Sequence, residues 1–360
     1  MDARVSFSLD ALGPAPAEPR DELLRQATVA SELGSEFVAS VLSAAYLQLE
    51  RAPRLAALID RWPHDPRASA MALRLNAGIH ALARQGRIAS LNDLFAGRSD
   101  DFLVAVADAF RWGEATLLAW MDHPTQTNEV ARSGAFMAAL MLLAQEQGMP
   151  FELNEIGASA GLNLMLDRYD HRLGGCRAGT PGSPVVIAPE WRGAAPLVAP
   201  VTIAAARGVD LRPLRLDDPL ARERLQSYVW ADDTMRALRL GHAITLAESD
   251  PPQVDRDHAA AWLERRLAAP QPAGTCRVVL HSMVLQYLPA DERAAVEATI
   301  AAAGGRAGRD APLALIGFEW DRARTEVRLE LTCWNGRSAM PLPRLLARCH
   351  AYGAWIDWQG

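Results

Sequence analysis

Glu155-Ile156-Gly157-Ala158-Ser159-Ala160-Gly161 is the stretch on which the fold reading turns. Ahead of it, Phe151-Glu152-Leu153-Asn154 is a short apolar-leaning run bounded by Pro150, which predicts a strand. Behind it, Leu162 to Leu173 returns to helical spacing. A strand that enters a helix through small residues lets backbone approach a ligand, and the first N–H groups of the helix face it. The acid two places before Gly157 narrows the ligand class. A carboxylate is badly placed beside a pyrophosphate and well placed beside a cationic or amino-bearing group.

Before this stretch the chain reads as helix. Residues 1–20, with Pro14, Pro16 and Pro19, form an irregular lead-in. From Asp21 to about Glu50, Leu23, Leu24, Ala27, Ala30, Leu33, Phe37, Val38 and Val41 recur at three- and four-residue spacing. Similar patterns near 66–84, 100–120 and 128–147 are broken at prolines 63, 66 and 124. A helical domain over 21–148 is predicted. After Pro150, apolar runs at RGVDLRPL, PPQVDRD, CRVVLHSMV, PLALIGFEW, EVRLELTCW and GAWIDW alternate with helical stretches near 218–229, 232–247, 258–268 and 290–302. That alternation predicts an α/β domain over 149–360, with a mostly parallel sheet covered by helices on both faces. An antiparallel pair is expected near 313–334, in a tail running strand, strand, helix, strand.

The turn resembles the first motif of class I S-adenosylmethionine methyltransferases, E/D-x-G-x-G-x-G, with Ser159 in place of the middle glycine. Gly208-Val209-Asp210-Leu211 resembles their second strand end, where an acid accepts the ribose hydroxyls. Val254-Asp255-Arg256-Asp257-His258 resembles the third, which meets the adenine, and Val279 to Pro289 resembles the fourth strand and its loop. All lie at carboxyl ends of strands, where open α/β sheets bind ligands. The resemblance implies a Rossmann-like core and S-adenosylmethionine as cofactor. Glu155, Gly157, Ala158, Ser159, Gly161 and Asn163 would hold its methionine part, Asp210 and Leu211 its ribose, and Asp257 and His258 its adenine. His281 and Tyr287 are the candidate bases. Asn128 or Arg132, in Gln126-Thr127-Asn128-Glu129-Val130-Ala131-Arg132, would reach the ligand carboxylate; the alternative is an N-cap at Thr127 or Asn128.

Over nearly its whole length, from about residue 20, the chain resembles a bacterial family known only as a domain of unknown function. The strings QTNEV, EIGASAGLNLMLDRY, GVDLRP, VWAD, VVLHSMVLQYLP and YGAWIDW carry that resemblance. One departure from ordinary methyltransferases is spacing: Asp210 stands 49 residues after Gly161, against about 20 in Rossmann units. The intervening insertion, about 163–200, holds GGCRAGTPGSP and Glu190-Trp191-Arg192 and is expected to form a flap.

Composition removes other classes. The chain of 360 residues has net charge −6, and its 37 basic residues are all arginine. Without lysine there is no Schiff base and no P-loop. Without a basic run there is no electrostatic footprint for nucleic acid. No apolar stretch is long enough to span a bilayer and the start has no signal-peptide pattern, so a cytoplasmic protein acting on a small molecule is expected. Cys176, Cys276, Cys333 and Cys349 lie far apart and the eight histidines lack ligand spacing, so free thiols and no metal site are predicted. Gly157-x-Ser159-x-Gly161 also matches a hydrolase nucleophile elbow, with Asp257 and His281 or His350 following in order. A catalytically silent scaffold or ligand sensor is the remaining alternative.

Overall fold

The structure, a computed structural model, describes residues 18–338 and 340–360. The lead-in expected over 1–20 lies outside them except for its last residues, where Pro19–Asp21 form a 3-10 turn. Among the described residues no strand precedes Phe151. Helices α1 (Glu22–Glu32) and α2 (Glu36–Gln48) divide the helix predicted over 21–50 at Gly34-Ser35. Gly34 takes φ +89° there, and the Ser35 hydroxyl caps α2 by accepting the Val38 N–H at 3.2 Å. Next come α3 (Pro53–Asp60), α4 (Met71–Gln85), α5 (Ala89–Phe95) and α6 (Phe102–Met121).

The described chain divides into two compact units, one of 18–127 with Asp218–Gly241, the other of Asn128–Asp217 with His242–Gly360. In the helical unit, α4 and α6 close on each other through reciprocal glycines. A Cβ on Gly78 would stand 3.1 Å from Leu117 and Trp120, and one on Gly113 would stand 2.3 Å from Leu82. The segment 218–241 belongs here because of what it touches. Its helix α8 (Pro219–Tyr228) pairs Glu223 with Arg84 at 2.7 Å and sets Tyr228 against Trp120, rings 5.6 Å apart. The VWAD string ends on Asp232, whose carboxylate accepts the Ser35 hydroxyl at 2.7 Å.

The other unit is built on helix α7 (Ser133–Gln147). Its sequence SGAFMAALMLLA is apolar all round, which in an aqueous protein requires burial on every side. Every residue from Ser133 to Ala144 is buried. Each large apolar side chain among them contributes about 1.5–3 kcal/mol by leaving water. Against α7 lies a nine-stranded sheet in the order β5-β12-β11-β10-β9-β8-β1-β6-β7. Its strands are β1 (Phe151–Ile156), β5 (Glu190–Gly193), β6 (Ile203–Asp210), β7 (Val254–Arg256), β8 (Cys276–Ser282), β9 (Leu313–Trp320), β10 (Val327–Trp334), β11 (Arg344–Cys349) and β12 (Trp355–Trp358). The run β7-β6-β1-β8-β9 is parallel throughout, and β9-β10-β11-β12 is antiparallel. Helix α9 (Thr234–Ser249) leads toward β7, while α10 (Ala259–Ala268) and α11 (Ala290–Gly304) follow β7 and β8.

Strand alternation sorts the sheet into two faces. Phe151, Leu153, Val278, Leu280, Ile316 and Phe318 pack with α7, whereas Ile156, Val279 and Leu313 pack with Trp262 and Leu263 of α10 and Val296 and Ile300 of α11. Three expectations are corrected. The segment after the glycine turn is a seven-residue 3-10 helix, Leu162–Arg168, interrupted at Met165, followed by β2 (Asp170–Leu173). The insertion does not fold as a single flap. Strands β2, β3 (Cys176–Gly179) and β4 (Val186–Ile187) form a small separate sheet, and Glu190-Trp191-Arg192 is the edge strand beside β12. The tail carries strand β11 where a helix was expected, because Leu346, Ala347 and Cys349 extend the buried α7 face.

Candidate functional site

Strand β1 lies between β6 and β8, so its carboxyl end is flanked by two parallel strand ends. Three left-handed residues turn the chain there: Gly157 (φ +66°), Ser159 (φ +55°) and Gly161 (φ +77°). Glycine is required at the two flanking positions. A Cβ on Gly157 would meet Val284 Cγ2 at 2.4 Å, and one on Gly161 would meet Pro252 at 2.8 Å. Ala158 donates its N–H to Val209 O at 3.0 Å, which holds the turn against β6.

Asn128, in left-handed geometry at φ +32°, accepts the N–H groups of Ala160 at 3.1 Å and Leu162 at 3.2 Å through one Oδ1. These are the donors that the sequence left for a ligand. Asn128 therefore braces the turn from inside, and neither Thr127 nor Asn128 acts as an N-cap; Glu129 does that, accepting from Ala131 at 3.0 Å. Arg132 is 6% exposed and held in place. Its Nε donates to Ala351 O at 3.0 Å, its NH1 approaches Ser282 Oγ at 3.4 Å, and its guanidinium lies over Phe318.

Glu155 is 1% exposed on the α7 face. Burial and the nearby Asp210 push its carboxyl up to about 8, opposed by a hydrogen bond from Asn163 and by the Arg132 charge. Its Oε2, the Ser159 Oγ and the Asn163 Oδ1 are all buried without a hydrogen-bond partner. Each such buried polar atom calls for an explanation in a folded protein, and here three stand at one turn. Beside them, Asp210 accepts the Ser159 N–H at 2.9 Å and the Arg212 N–H at 2.8 Å, one on each oxygen. Each oxygen keeps a second acceptor position.

The other predicted residues sit farther out. Leu211 is half exposed beside Asp210. Asp257 follows β7, gives its N–H to Asp210 O at 3.2 Å, and is paired with Arg265, which holds its carboxyl below the usual range. It lines a groove of about 390 Å³ with Arg207, Asp255 and Trp262 on the sheet edge. His258 is exposed, with Glu292 at 3.5 Å. His281 is in register with Ile156 and so points to the α10–α11 face, away from Glu155. Tyr287 is 45% exposed in the 3-10 turn Leu285–Tyr287.

A family model described as "Uncharacterized protein conserved in bacteria (DUF2332)" matches residues 20–358. The chain belongs to this family. No curated protein and no solved structure matches it. Among the described residues no helix is long and apolar enough to cross a membrane. The four cysteines of this family member are free thiols, Cys276 and Cys349 buried.

The sequence reading missed Glu319. Its Oε1 accepts His281 Nδ1 at 2.9 Å, Val284 N–H at 3.0 Å and Leu285 N–H at 3.4 Å. Through these bonds it fixes which ring nitrogen of His281 carries the proton and ties down the loop after β8. Glu319 in PLALIGFEW was the available signal: an acid two residues beyond the glycine that pairs with His281. That pairing is a tertiary fact.

Proposed function

We propose that this chain binds S-adenosylmethionine at the turn after β1 and transfers its methyl group to a small molecule. The observation that carries the reading is the set of three unpartnered buried polar atoms on Glu155, Ser159 and Asn163, beside an acid at the end of the adjacent parallel strand. The strand order β7-β6-β1-β8-β9, all parallel, supports it, since it is the 3-2-1-4-5 order of a Rossmann-type sheet, in which ligands bind at strand carboxyl ends. In this reading Glu155, Ser159 and Asn163 meet the amino-acid part, Asp210 accepts from ribose hydroxyls with its remaining lone pairs, and Asp257 lies at the adenine side.

When bound, S-adenosylmethionine would supply an electrophilic methyl carbon with a neutral thioether as leaving group. The protein's part is to orient the two reactants and exclude water. His281, with Nδ1 bonded to Glu319, presents Nε2 as an acceptor for an acceptor-group proton, and Tyr287 is the exposed alternative on the same loop. The antiparallel strands β10 to β12 and the displaced insertion depart from ordinary methyltransferases and favour, as second reading, a silent module that binds the ligand without chemistry. A hydrolase is less well supported, because the Ser159 hydroxyl makes no hydrogen bond to a base.

Calorimetric titration with S-adenosylmethionine and S-adenosylhomocysteine tests the proposal. Micromolar binding lost in Asp210→Ala supports it; no binding by folded protein overturns it. Ser159→Ala separates the hydrolase, whose activity it would abolish, from a methyltransferase, whose ligand it would only weaken.

A further inference from the structure

The groove of about 390 Å³ beside β7 is lined mainly by charged side chains. It lies on the α10 side of the sheet. Asp255 is in register with Val209, whose side chain packs with Trp262 and Leu263 of α10. Four arginines line the groove: Arg207 from β6, Arg256 from β7, and Arg265 and Arg266 from α10. Trp262, Arg265 and Arg266 stand three and four residues apart, so α10 turns both guanidiniums toward the same strand edge.

Both acids of the groove already have a donor on each oxygen. Asp255 accepts Arg207 NH2 on Oδ1 at 2.7 Å, and Arg207 Nε and Trp262 Nε1 on Oδ2, both at 2.7 Å. Asp257 accepts the His258 N–H on Oδ1 at 2.8 Å and Arg265 on Oδ2. The arginines keep donors to spare, since a guanidinium carries five N–H groups. Arg207 engages Nε and NH2, Arg265 only NH2, and Arg266 its Nε with Asn154 at 2.9 Å and its NH2 with Glu152 at 2.7 Å. Arg256, exposed on the edge strand, makes no hydrogen bond or ion pair among the described residues.

Four guanidiniums face two carboxylates, a surplus of two positive charges in a chain of net charge −6. Following the network inward keeps that surplus, because Glu152 is paired with Arg277 at 3.0 Å as well as with Arg266. A carboxylate ligand would cancel half of it. A phosphate monoester carries about −1.5 to −2 at neutral pH, and its oxygens match the planar guanidinium fork. The groove falls within the range of about 300–1,000 Å³ typical of small-ligand pockets, which leaves room beyond the phosphate itself.

We propose that this groove is a phosphate subsite, which takes the phosphate group of a small molecule through Arg207, Arg256 and Arg265. It does not depend on the cofactor reading, with which it shares only Asp257.

The experiment is titration calorimetry of the full chain with phenyl phosphate, inorganic phosphate and benzoate, near neutral pH and at constant ionic strength. Phenyl phosphate should bind at one saturable site, at least about tenfold tighter than benzoate, which keeps the ring and offers a single charge. Arg256→Gln combined with Arg265→Gln should weaken phenyl phosphate at least about tenfold. Both side chains are exposed, so the melting temperature should stay close to wild type. If the double variant melts early, Arg256→Gln alone gives the same comparison at a residue without partners. Phenyl phosphate binding tighter than inorganic phosphate supports a phosphorylated molecule as ligand, and equal binding supports the free anion at the same site. No saturable phosphate binding by the folded protein overturns the proposal. So does benzoate matching phenyl phosphate, or unchanged binding in the variants.

Discussion

Asn128 accepts the backbone N–H of Ala160 at 3.1 Å, and with the same Oδ1 it accepts that of Leu162 at 3.2 Å. One side chain thus occupies two donors of the turn that a helix N-terminus would have offered to an anion. The turn is left with acceptors facing its interior, which is why a cationic ligand suits it better than a phosphate.

Asn128→Ala should strand both N–H groups in a buried setting, at about 1–3 kcal/mol for each group that finds no water. Urea unfolding should show a loss of at least about 1 kcal/mol, with ligand binding weakened in parallel. An unchanged midpoint would mean that the brace is dispensable.

Gly157 and Gly148 have nearly equal φ, +66° and +65°, but different surroundings. Nothing lies within 4 Å of a Cβ on Gly148, whereas one on Gly157 would overlap Val284. Gly148→Ala should cost about 1 kcal/mol from backbone strain alone. Gly157→Ala should cost at least twice that, and adding Val284→Ala should recover part of the difference in a double-mutant cycle.

The Glu155 carboxyl stands at about 8 in the folded chain against an ordinary value of 4.5. A raised acid favours the fold fully below its unfolded value, and that contribution is lost as pH climbs from about 4.5 to 8. The slope is about 1.4 kcal/mol per pH unit while only the unfolded chain is ionised. Glu155→Gln has no such loss, so its stability relative to wild type should improve steadily between pH 5 and 8. Parallel stability curves for the two proteins would show that Glu155 ionises freely in the fold.

Glu319→Ala should release three donors at once, on His281, Val284 and Leu285. Hydrogen exchange should show the Val284 and Leu285 amides losing protection while those of α7 keep theirs. Glu319→Gln, which keeps an acceptor oxygen, should hold most of the protection. Equal loss across the whole sheet would mean that the residue acts on global stability instead of on the loop.

Much of the architecture was legible because burial writes a period into a sequence. The alternation after Pro150 located β1, β6, β7, β8, β9, β10 and β12, and the helical spacing near 128–147 located α7. The turn at Gly157 and Gly161 was legible because only glycine tolerates the close approach of Val284 and Pro252. Leu162 to Leu173 misled for the same reason. Its apolar residues are spaced for a helix, yet Leu162, Leu164 and Leu166 are buried along a 3-10 segment and Leu173 in a strand.

By itself the sequence determined the helical start, the α/β remainder and the acid-led glycine turn, since each depends on residues close together in the chain. Tertiary structure alone decided that Asn128 fills the turn's donors, that Glu155 and His281 point to opposite faces, and that Glu319 holds His281. Those relationships join residues 32 to 126 positions apart, through strand register and, for Asn128, through loop packing, and neither leaves a local pattern in the sequence.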